Sequence, residues 1–139
     1  MTRREAEVEV EVPFYDLDPM NVTWHGNYLK YFERARCALL DSIDYNYPQM
    51  QASGYVWPIV DLKVKYVKSA VFGQKLLVSA ALEEFENRLK LSYVVRCKES
   101  GTVLTKGQSV QVAVTLEGGE MQFVSPKVLF DKLGEPWPY

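Results

Sequence analysis

The chain has 139 residues, of which 47% are hydrophobic and 24% are charged, and its formal net charge is −2. A chain of this length buries about 68–70% of the surface that it exposes when unfolded, and we expect a single domain over residues 1–139. Its 16 basic residues do not outnumber its 18 acidic ones, so the composition gives no basic surface of the kind that binds nucleic acid.

The apolar runs and the cysteines indicate the cellular compartment of the protein. No apolar run approaches the ~18 residues that a transmembrane helix needs, so no membrane span is predicted. The start, MTRREAEVEV, lacks the apolar segment of a secretory signal. Cys37 and Cys97 do not form a Cys-x-x-Cys pair and are predicted to be reduced thiols. We therefore expect a cytoplasmic protein.

The first third of the chain changes from a strand pattern to a helix pattern. Residues Glu5–Phe14 alternate between acidic and apolar side chains, which predicts a half-buried strand. Tyr15–Trp24 is predicted to be a loop that contains an Asp-Pro turn. From Gly26 to about Ile43 apolar residues recur at helical spacing, which predicts one long helix. Asp44–Tyr55 is predicted to be a connector without regular structure.

The rest of the chain has mainly strand patterns. Four strand-like segments separated by short turns are predicted: Val56–Val67, Lys75–Phe85, Lys90–Lys98 and Thr102–Leu116. Gly107, inside the last segment, predicts a bulge or a close approach of another backbone. Ser125 and Pro126 predict an N-cap and first residue of a short helix that ends near Leu133. This order predicts an α+β fold with one long helix packed on a largely antiparallel sheet.

Asp18 lies in the acidic loop, just before the long helix. Free backbone amides at a helix N-terminus stabilise developing negative charge, and a carboxylate beside them can act as a nucleophile. The simpler interpretation is that Asp18 starts a turn or caps the helix, which would stabilise the helix by about 1 kcal/mol. The residues alone favour the simpler interpretation.

The string YDLDPMNVTWHGNYLKYFERAR, with this order of elements, resembles the hot-dog-fold acyl-CoA thioesterases, specifically the 4-hydroxybenzoyl-CoA thioesterase-like family. The positions that carry the resemblance are Tyr15, Asp16, Asp18, Val22, His25, Asn27, Tyr28, Tyr31, Glu33, Ala35 and Arg36. The resemblance implies a long central helix wrapped by a five-stranded, largely antiparallel sheet. It also implies a homodimer or homotetramer that pairs through its sheets, with active sites at the subunit interface.

The resemblance assigns the chemistry to two positions. Asp18 is implied to be the catalytic carboxylate, acting as nucleophile or general base, and the backbone amide at His25 is implied to polarise the thioester carbonyl. The His25 imidazole would bind the carboxylate or the substrate, or would simply cap the helix. Asp16 is expected to support the loop through backbone hydrogen bonds.

Substrate-binding and structural roles are expected for further residues. The expected substrate-binding residues are Asn27, Tyr28, Trp24 and Lys68. The lysines Lys63, Lys65, Lys68 and Lys75 either meet the phosphates of coenzyme A or are merely solvated. Glu33 and Arg36 are expected to form an ion pair on the helix surface or at an interface. Cys37 and Cys97 are expected to lie in the core rather than to act as nucleophiles.

The predicted function is hydrolysis of an acyl-CoA or acyl-carrier-protein thioester, with coenzyme A only as part of the substrate and no other cofactor. One histidine and two aspartates in one loop are not a usual metal-ligand set, so no metal site is predicted. Two alternatives stay open: a hydratase or dehydratase that uses His25, and a non-catalytic acyl-binding module. The aromatic residues Tyr45, Tyr47, Tyr55 and Trp57 line a pocket or belong to the core.

Overall fold

The computed structural model describes residues 4–139; residues 1–3, at the start of the MTRREAEVEV segment, lie outside the described residues. The strands are β1 Glu5–Glu11, β2 Tyr55–Val56, β3 Ile59–Tyr66, β4 Lys75–Glu84, β5 Leu89–Cys97, β6 Val103–Gln111 and β7 Val114–Thr115. The α-helices are α1 Tyr28–Ser42, α2 Tyr47–Ala52 and α3 Lys127–Leu133. Among residues 4–139, no helix has the length and apolar character needed to cross a membrane.

Five strands form one antiparallel sheet in the order β1-β4-β5-β6-β3, and β2 pairs with β7 in a separate two-stranded sheet. The helix α1 packs mainly against β1 and β4. Its buried residues are Tyr28, Tyr31, Phe32, Ala35, Arg36, Leu39 and Leu40. Burying each large apolar side chain contributes about 1.5–3 kcal/mol, so this face fixes the helix, and with it the loop before the helix, on the sheet. The predicted α+β arrangement is confirmed.

Gly107 is where the helix comes closest to the sheet. A Cβ atom there would lie 2.5 Å from the Phe32 ring and 3.0 Å from the Lys63 carbonyl oxygen. The Phe32 ring instead stacks on Tyr93, with ring centroids 4.7 Å apart. The predicted close approach is therefore confirmed, and it comes from a ring as well as from a backbone. The alternative of a bulge at Gly107 is wrong, because this residue pairs in regular register with Val64 and with Tyr93. The register shifts in the pairings of β6 lie between Ile59 and Asp61 on β3 and between Val95 and Arg96 on β5.

Several predicted boundaries were wrong, including the end of the first strand, which was predicted at Phe14 and lies at Glu11. The connector 44–55 contains α2, which Asn46 and Gln49 start with a capping box; this signal is present in the sequence NYPQ. The segments 56–67 and 102–116 each divide into a long and a short strand. The residue before α3 is Pro126, not Ser125. The Ser125 N–H instead donates to Glu86 O over 2.9 Å, which ties this residue to the β4–β5 turn.

Candidate active site

The acidic loop folds into a tight turn around Asp18. The Asp18 N–H donates to Val22 O over 2.9 Å, and the Asn21 N–H donates to Asp18 O over 2.9 Å. Asn21 has a φ of 62°, a left-handed conformation that asparagine tolerates better than most residues. The Met20 N–H donates to Asp18 Oδ1 over 2.8 Å. Asp18 therefore starts a turn, as the simpler interpretation held, and its Oδ2 has no hydrogen-bond partner among residues 4–139.

Asp16 has a different environment two residues earlier. Its side chain is 3% exposed and accepts hydrogen bonds from Lys30 Nζ over 2.7 Å and from the Tyr31 hydroxyl over 2.8 Å. Its carbonyl oxygen accepts from the Trp24 N–H over 2.9 Å and from Asn27 Nδ2 over 2.8 Å. Burial and the hydrogen bond to Asp16 raise the pKa of Tyr31, which keeps this hydroxyl a donor. Asp16 thus holds the loop to α1 with side-chain as well as backbone hydrogen bonds.

His25 begins a single 3₁₀ turn, His25–Asn27, that leads into α1. Its carbonyl oxygen accepts a hydrogen bond from the Tyr66 hydroxyl over 2.8 Å. Its exposed imidazole lies against Trp24 and Tyr66, with ring centroids 4.9 and 6.3 Å away. No side chain caps α1, and within residues 4–139 the His25 N–H has no hydrogen-bond partner. An unpaired backbone donor therefore stands at the start of the helix.

These groups line one cavity of about 340 Å³, which we call the Asp18 pocket. Its lining residues are Asp18, Met20, Val22, Thr23, His25, Tyr28, Tyr66, Val67, Lys68 and Ser69. Four residues expected from the sequence are brought together here: Asp18, His25, Tyr28 and Lys68. Asp16, Trp24 and Asn27 do not line the pocket. They stabilise the loop through the hydrogen bonds that Trp24 and Asn27 donate to the Asp16 carbonyl oxygen.

Tyr66 is one of the lining residues that sequence reasoning missed, and its hydroxyl bonds directly to His25. It ends β3 and points to the same face of the sheet as Val64, because strand side chains alternate between faces. Its ring also packs edge-on against the buried Tyr28, with centroids 5.5 Å apart. The alternation of side chains along β3 could have predicted the face to which Tyr66 points. Its contact with His25, which lies 41 residues earlier, could not be predicted from neighbouring residues.

The four lysines considered for coenzyme A separate in the structure. Only Lys68 lines the Asp18 pocket. Lys63 and Lys65 point to the opposite face of the sheet from Tyr66, since they alternate with it along β3. Lys75 lines a separate cavity of about 540 Å³ beside Cys97.

Several side chains outside the pocket also differ from expectation. Arg36 pairs with Glu33, as predicted, but its guanidinium is buried and also donates to the Tyr47 hydroxyl over 2.5 Å. Both cysteines are free. Cys37 and Cys97 are both half-buried rather than fully in the core. Hydrogen bonds from Ser100 lower the pKa of the Cys97 thiol to about 7.

The aromatic residues considered for a pocket divide between two environments. Tyr45 is fully buried, and Trp57 donates to its hydroxyl over 3.1 Å, so this pair belongs to the core. Tyr47 and Tyr55, together with one side of Trp57, line an apolar groove of about 620 Å³ beside β2. Across residues 4–139, no group of three or more His, Cys, Asp or Glu side chains is arranged to hold a metal ion.

The chain is similar to several known proteins. Residues 12–132 match the Thioesterase-like superfamily. YneP, a candidate acyl-CoA thioesterase of Bacillus subtilis (strain 168), is 29% identical over 113 residues, which cover 81% of each chain. The DHNA-CoA thioesterase of Staphylococcus aureus is 26% identical with a TM-score of 0.77, over 84% of this chain and 78% of that one. Slr0204, a 1,4-dihydroxy-2-naphthoyl-CoA thioesterase from Synechocystis, is 20% identical with a TM-score of 0.82, over 95% and 99% of the two chains.

The family match spans the acidic loop, α1 and four of the five strands of the main sheet. The likeness to solved thioesterases extends over nearly the whole chain and shows a shared fold. The family match over residues 12–132 confirms the thioesterase family inferred from the sequence. The chain belongs to the thioesterase-like superfamily, and it is a thioester hydrolase with the hot-dog fold.

Proposed function

We propose that this protein hydrolyses an acyl-CoA or acyl-carrier-protein thioester with Asp18 as nucleophile or general base. The observation that carries the proposal is the juxtaposition of two unpaired groups in one pocket: the Asp18 Oδ2 oxygen and the His25 N–H. A carboxylate can attack or deprotonate, and a fixed N–H donor stabilises the oxyanion that forms on the carbonyl. Within residues 4–139, neither group has a hydrogen bond that it must break before it acts.

Two routes are consistent with this geometry. As nucleophile, the Asp18 oxygen adds to the thioester carbonyl carbon, the C–S bond breaks to release the thiolate, and water hydrolyses the mixed anhydride left behind. As general base, Asp18 takes a proton from water while the water oxygen adds to the carbonyl carbon. Collapse of that intermediate releases the thiolate, which recovers the proton. In both routes the carbonyl oxygen becomes negative opposite the His25 N–H.

We assign the remaining pocket residues to substrate binding and positioning. The hydroxyl of Tyr66 orients the His25 peptide through its bond to the carbonyl oxygen. The exposed Lys68 at the pocket wall offers a positive charge to a phosphate of coenzyme A. Asn27 and Trp24 act indirectly, by holding the loop that carries Asp18. The protein would need no cofactor beyond the coenzyme A or carrier group of its substrate.

The relatives narrow the proposed substrate. YneP carries acyl-CoA in its name, and the Staphylococcus aureus neighbour acts on an aromatic CoA thioester. We therefore place acyl- and aroyl-CoA ahead of carrier-protein thioesters. As the family resemblance implies, we further propose a homodimer or homotetramer that works in the cytoplasm.

The deciding experiment is a panel of aliphatic and aromatic CoA thioesters, assayed with the wild type and with Asp18→Asn in parallel. We expect the wild type to hydrolyse at least one thioester and Asp18→Asn to lose most of that rate. Unchanged hydrolysis by Asp18→Asn would contradict the mechanism. A hydratase would instead depend on His25 and tolerate Asp18→Asn. An acyl-binding module would bind a thioester tightly and turn over none of the panel.

A further inference from the structure

The connection between β3 and β4 supplies one wall of the Asp18 pocket. Residues 67–69 line the cavity, and the next residue, Ala70, is fully buried. We call residues 67–70 the pocket wall. These residues belong to none of the strands, so no ladder of strand hydrogen bonds fixes their backbone. The position of the pocket wall therefore depends on a few individual hydrogen bonds.

Backbone hydrogen bonds hold the pocket wall at both of its ends. At the start, the N–H groups of Val67 and Lys68 both donate to Leu104 O over 2.9 Å. At the end, the Ala70 carbonyl oxygen accepts from the Thr23 N–H over 2.8 Å, which ties the wall to the acidic loop. These contacts join backbone to backbone, so they do not depend on the identity of any side chain.

The Tyr28 hydroxyl makes the contact that does depend on a side chain. Its oxygen accepts a hydrogen bond from the Ala70 N–H over 3.0 Å. Because Ala70 is fully buried, its N–H would be costly to leave unpaired, and the Tyr28 hydroxyl thus stabilises this end of the wall. Burial raises the pKa of Tyr28, so the hydroxyl stays neutral at neutral pH and adds no charge to the pocket.

We propose that Tyr28 is a positioning residue for hydrolysis: its hydroxyl fixes the pocket wall, and with it Lys68, relative to the start of α1. Tyr28 is the first residue of α1 and directly follows the 3₁₀ turn that begins at His25. One side chain thus connects the N–H assigned to the oxyanion with the wall that carries the charge assigned to coenzyme A. The inference rests on the proposed function, and within it on the role of Lys68.

The proposal predicts which part of the substrate depends on the Tyr28 hydroxyl. A phosphate of coenzyme A meets Lys68 on the pocket wall, whereas the thioester carbonyl meets the His25 N–H at the helix start. A wall that is free to move weakens the phosphate contact and leaves the helix start in place. A thioester without the nucleotide has no phosphate to place on Lys68, so its hydrolysis does not depend on this hydroxyl.

The test compares a CoA thioester with the N-acetylcysteamine thioester of the same acyl group, which lacks the nucleotide and its phosphates. Tyr28→Phe keeps the ring that packs on Tyr31 and Tyr66 and removes the hydroxyl. We expect its KM for the CoA thioester to rise about fivefold, which corresponds to one hydrogen bond. Its KM for the short thioester, and kcat for both substrates, should stay within about twofold of the wild type.

Tyr45→Phe is the matched control for the loss of a buried hydroxyl. Tyr45 is as deeply buried as Tyr28, and its hydroxyl contacts Ser53 and Trp57 in the core. This variant should leave the ratio of the two KM values unchanged. If Tyr28→Phe raised KM equally for both thioesters, or for neither, the proposal would be overturned.

A double-variant cycle tests whether Tyr28 acts through the wall. Lys68→Ala should raise KM for the CoA thioester because it removes the charge. Adding Tyr28→Phe to Lys68→Ala should then raise KM little further, because the contact that Tyr28 positions is already lost. Effects that add in full, or a KM that Lys68→Ala leaves unchanged, would overturn the proposal.

Circular dichroism checks that each variant is folded. If Tyr28→Phe unfolds, Ala70→Gly replaces it, because glycine gives the wall backbone more freedom while the N–H is kept. The same selective rise in KM is expected, and its absence would overturn the proposal. Each readout is a ratio between two substrates of one protein and does not involve Asp18. A wild-type rate in Asp18→Asn would therefore contradict the proposed mechanism without changing the outcome of this test.

Discussion

The loop before α1 carries two aspartates, Asp16 on its inner side and Asp18 on its pocket side, and their hydrogen bonding differs. On the inner side Asp16 is buried, and both of its carboxylate oxygens accept hydrogen bonds. On the pocket side Asp18 is half-exposed; one carboxylate oxygen accepts from the Met20 N–H, and the other has no hydrogen-bond partner among residues 4–139. The two carboxylates are two residues apart, yet in the part of the chain that the structure describes only Asp18 keeps an oxygen without a hydrogen-bond partner. The comparison teaches that the proposed chemistry depends on which carboxylate oxygens the fold leaves unpaired.

The division has a simple physical reason. A buried carboxylate is costly unless it is paired and hydrogen-bonded, so the inner position demands Lys30 and Tyr31 as partners. A carboxylate at the pocket has water on one side and needs fewer partners. The inner aspartate therefore contributes mainly to the stability of the loop, and the outer one is available for chemistry. Four substitutions test this division, from the largest expected effect to the smallest.

Asp18→Asn should have the largest effect. Removing a positioned nucleophile or base typically lowers a rate by about 10²–10⁴-fold, so we expect a loss of kcat in this range. The free energy of unfolding should change by no more than about 0.5 kcal/mol, because Asp18 is half-exposed and asparagine can keep the turn. Steady-state kinetics and thermal melting of the same sample check both parts. A kcat within tenfold of wild type would remove Asp18 from the chemistry.

Asp16→Asn should act mainly on stability. The Tyr31 hydroxyl loses a charged acceptor in a buried position, which costs about 1–3 kcal/mol of unfolding free energy. Urea denaturation measures this cost, and Asp131→Asn, which loses only an exposed pair with Lys127, is the matched control. The kcat of the folded Asp16→Asn variant should stay well above that of Asp18→Asn. If Asp16→Asn lost more kcat than Asp18→Asn, the chemical role would be assigned to Asp16 and the structural role to Asp18.

Tyr66→Phe should lower kcat by about fivefold, since it removes one hydrogen bond worth about 1 kcal/mol. The ring that packs on Tyr28 is kept, so the free energy of unfolding should fall by no more than about 1 kcal/mol. We expect the effect in kcat rather than in KM, because the bond orients the peptide that faces the oxyanion. Tyr139→Phe, at an exposed position, serves as the control. An effect on KM alone would make Tyr66 a binding residue instead.

His25→Ala should have the smallest effect. The substitution keeps the backbone N–H that we assign to the oxyanion, and it removes only an exposed ring. We expect kcat to fall by less than the roughly fivefold expected for Tyr66→Phe, as measured under the same conditions as for Asp18→Asn. A loss of hundredfold or more would show that the imidazole takes part in catalysis and would favour the hydratase alternative.

Local patterns were enough to predict much of the fold. The alternation of β1 and the helical spacing of α1 reflect the faces that must be buried, and both are properties of neighbouring residues. The motif around Asp18 also identified the family, because its loop and helix start are continuous in sequence. The main local miss was α2, although its capping box is present in the chain.

What the sequence determined was the set of groups near the helix start: two aspartates, a histidine and the backbone that carries them. Only the tertiary structure decided that both carboxylate oxygens of Asp16 are hydrogen-bonded, whereas Asp18 Oδ2 has no partner among residues 4–139. Only the tertiary structure brought the Tyr66 hydroxyl to the His25 carbonyl and turned Lys63 and Lys65 away from the pocket. These outcomes depend on strand register and on how α1 seats against the sheet, and both are set by contacts between residues far apart in the chain.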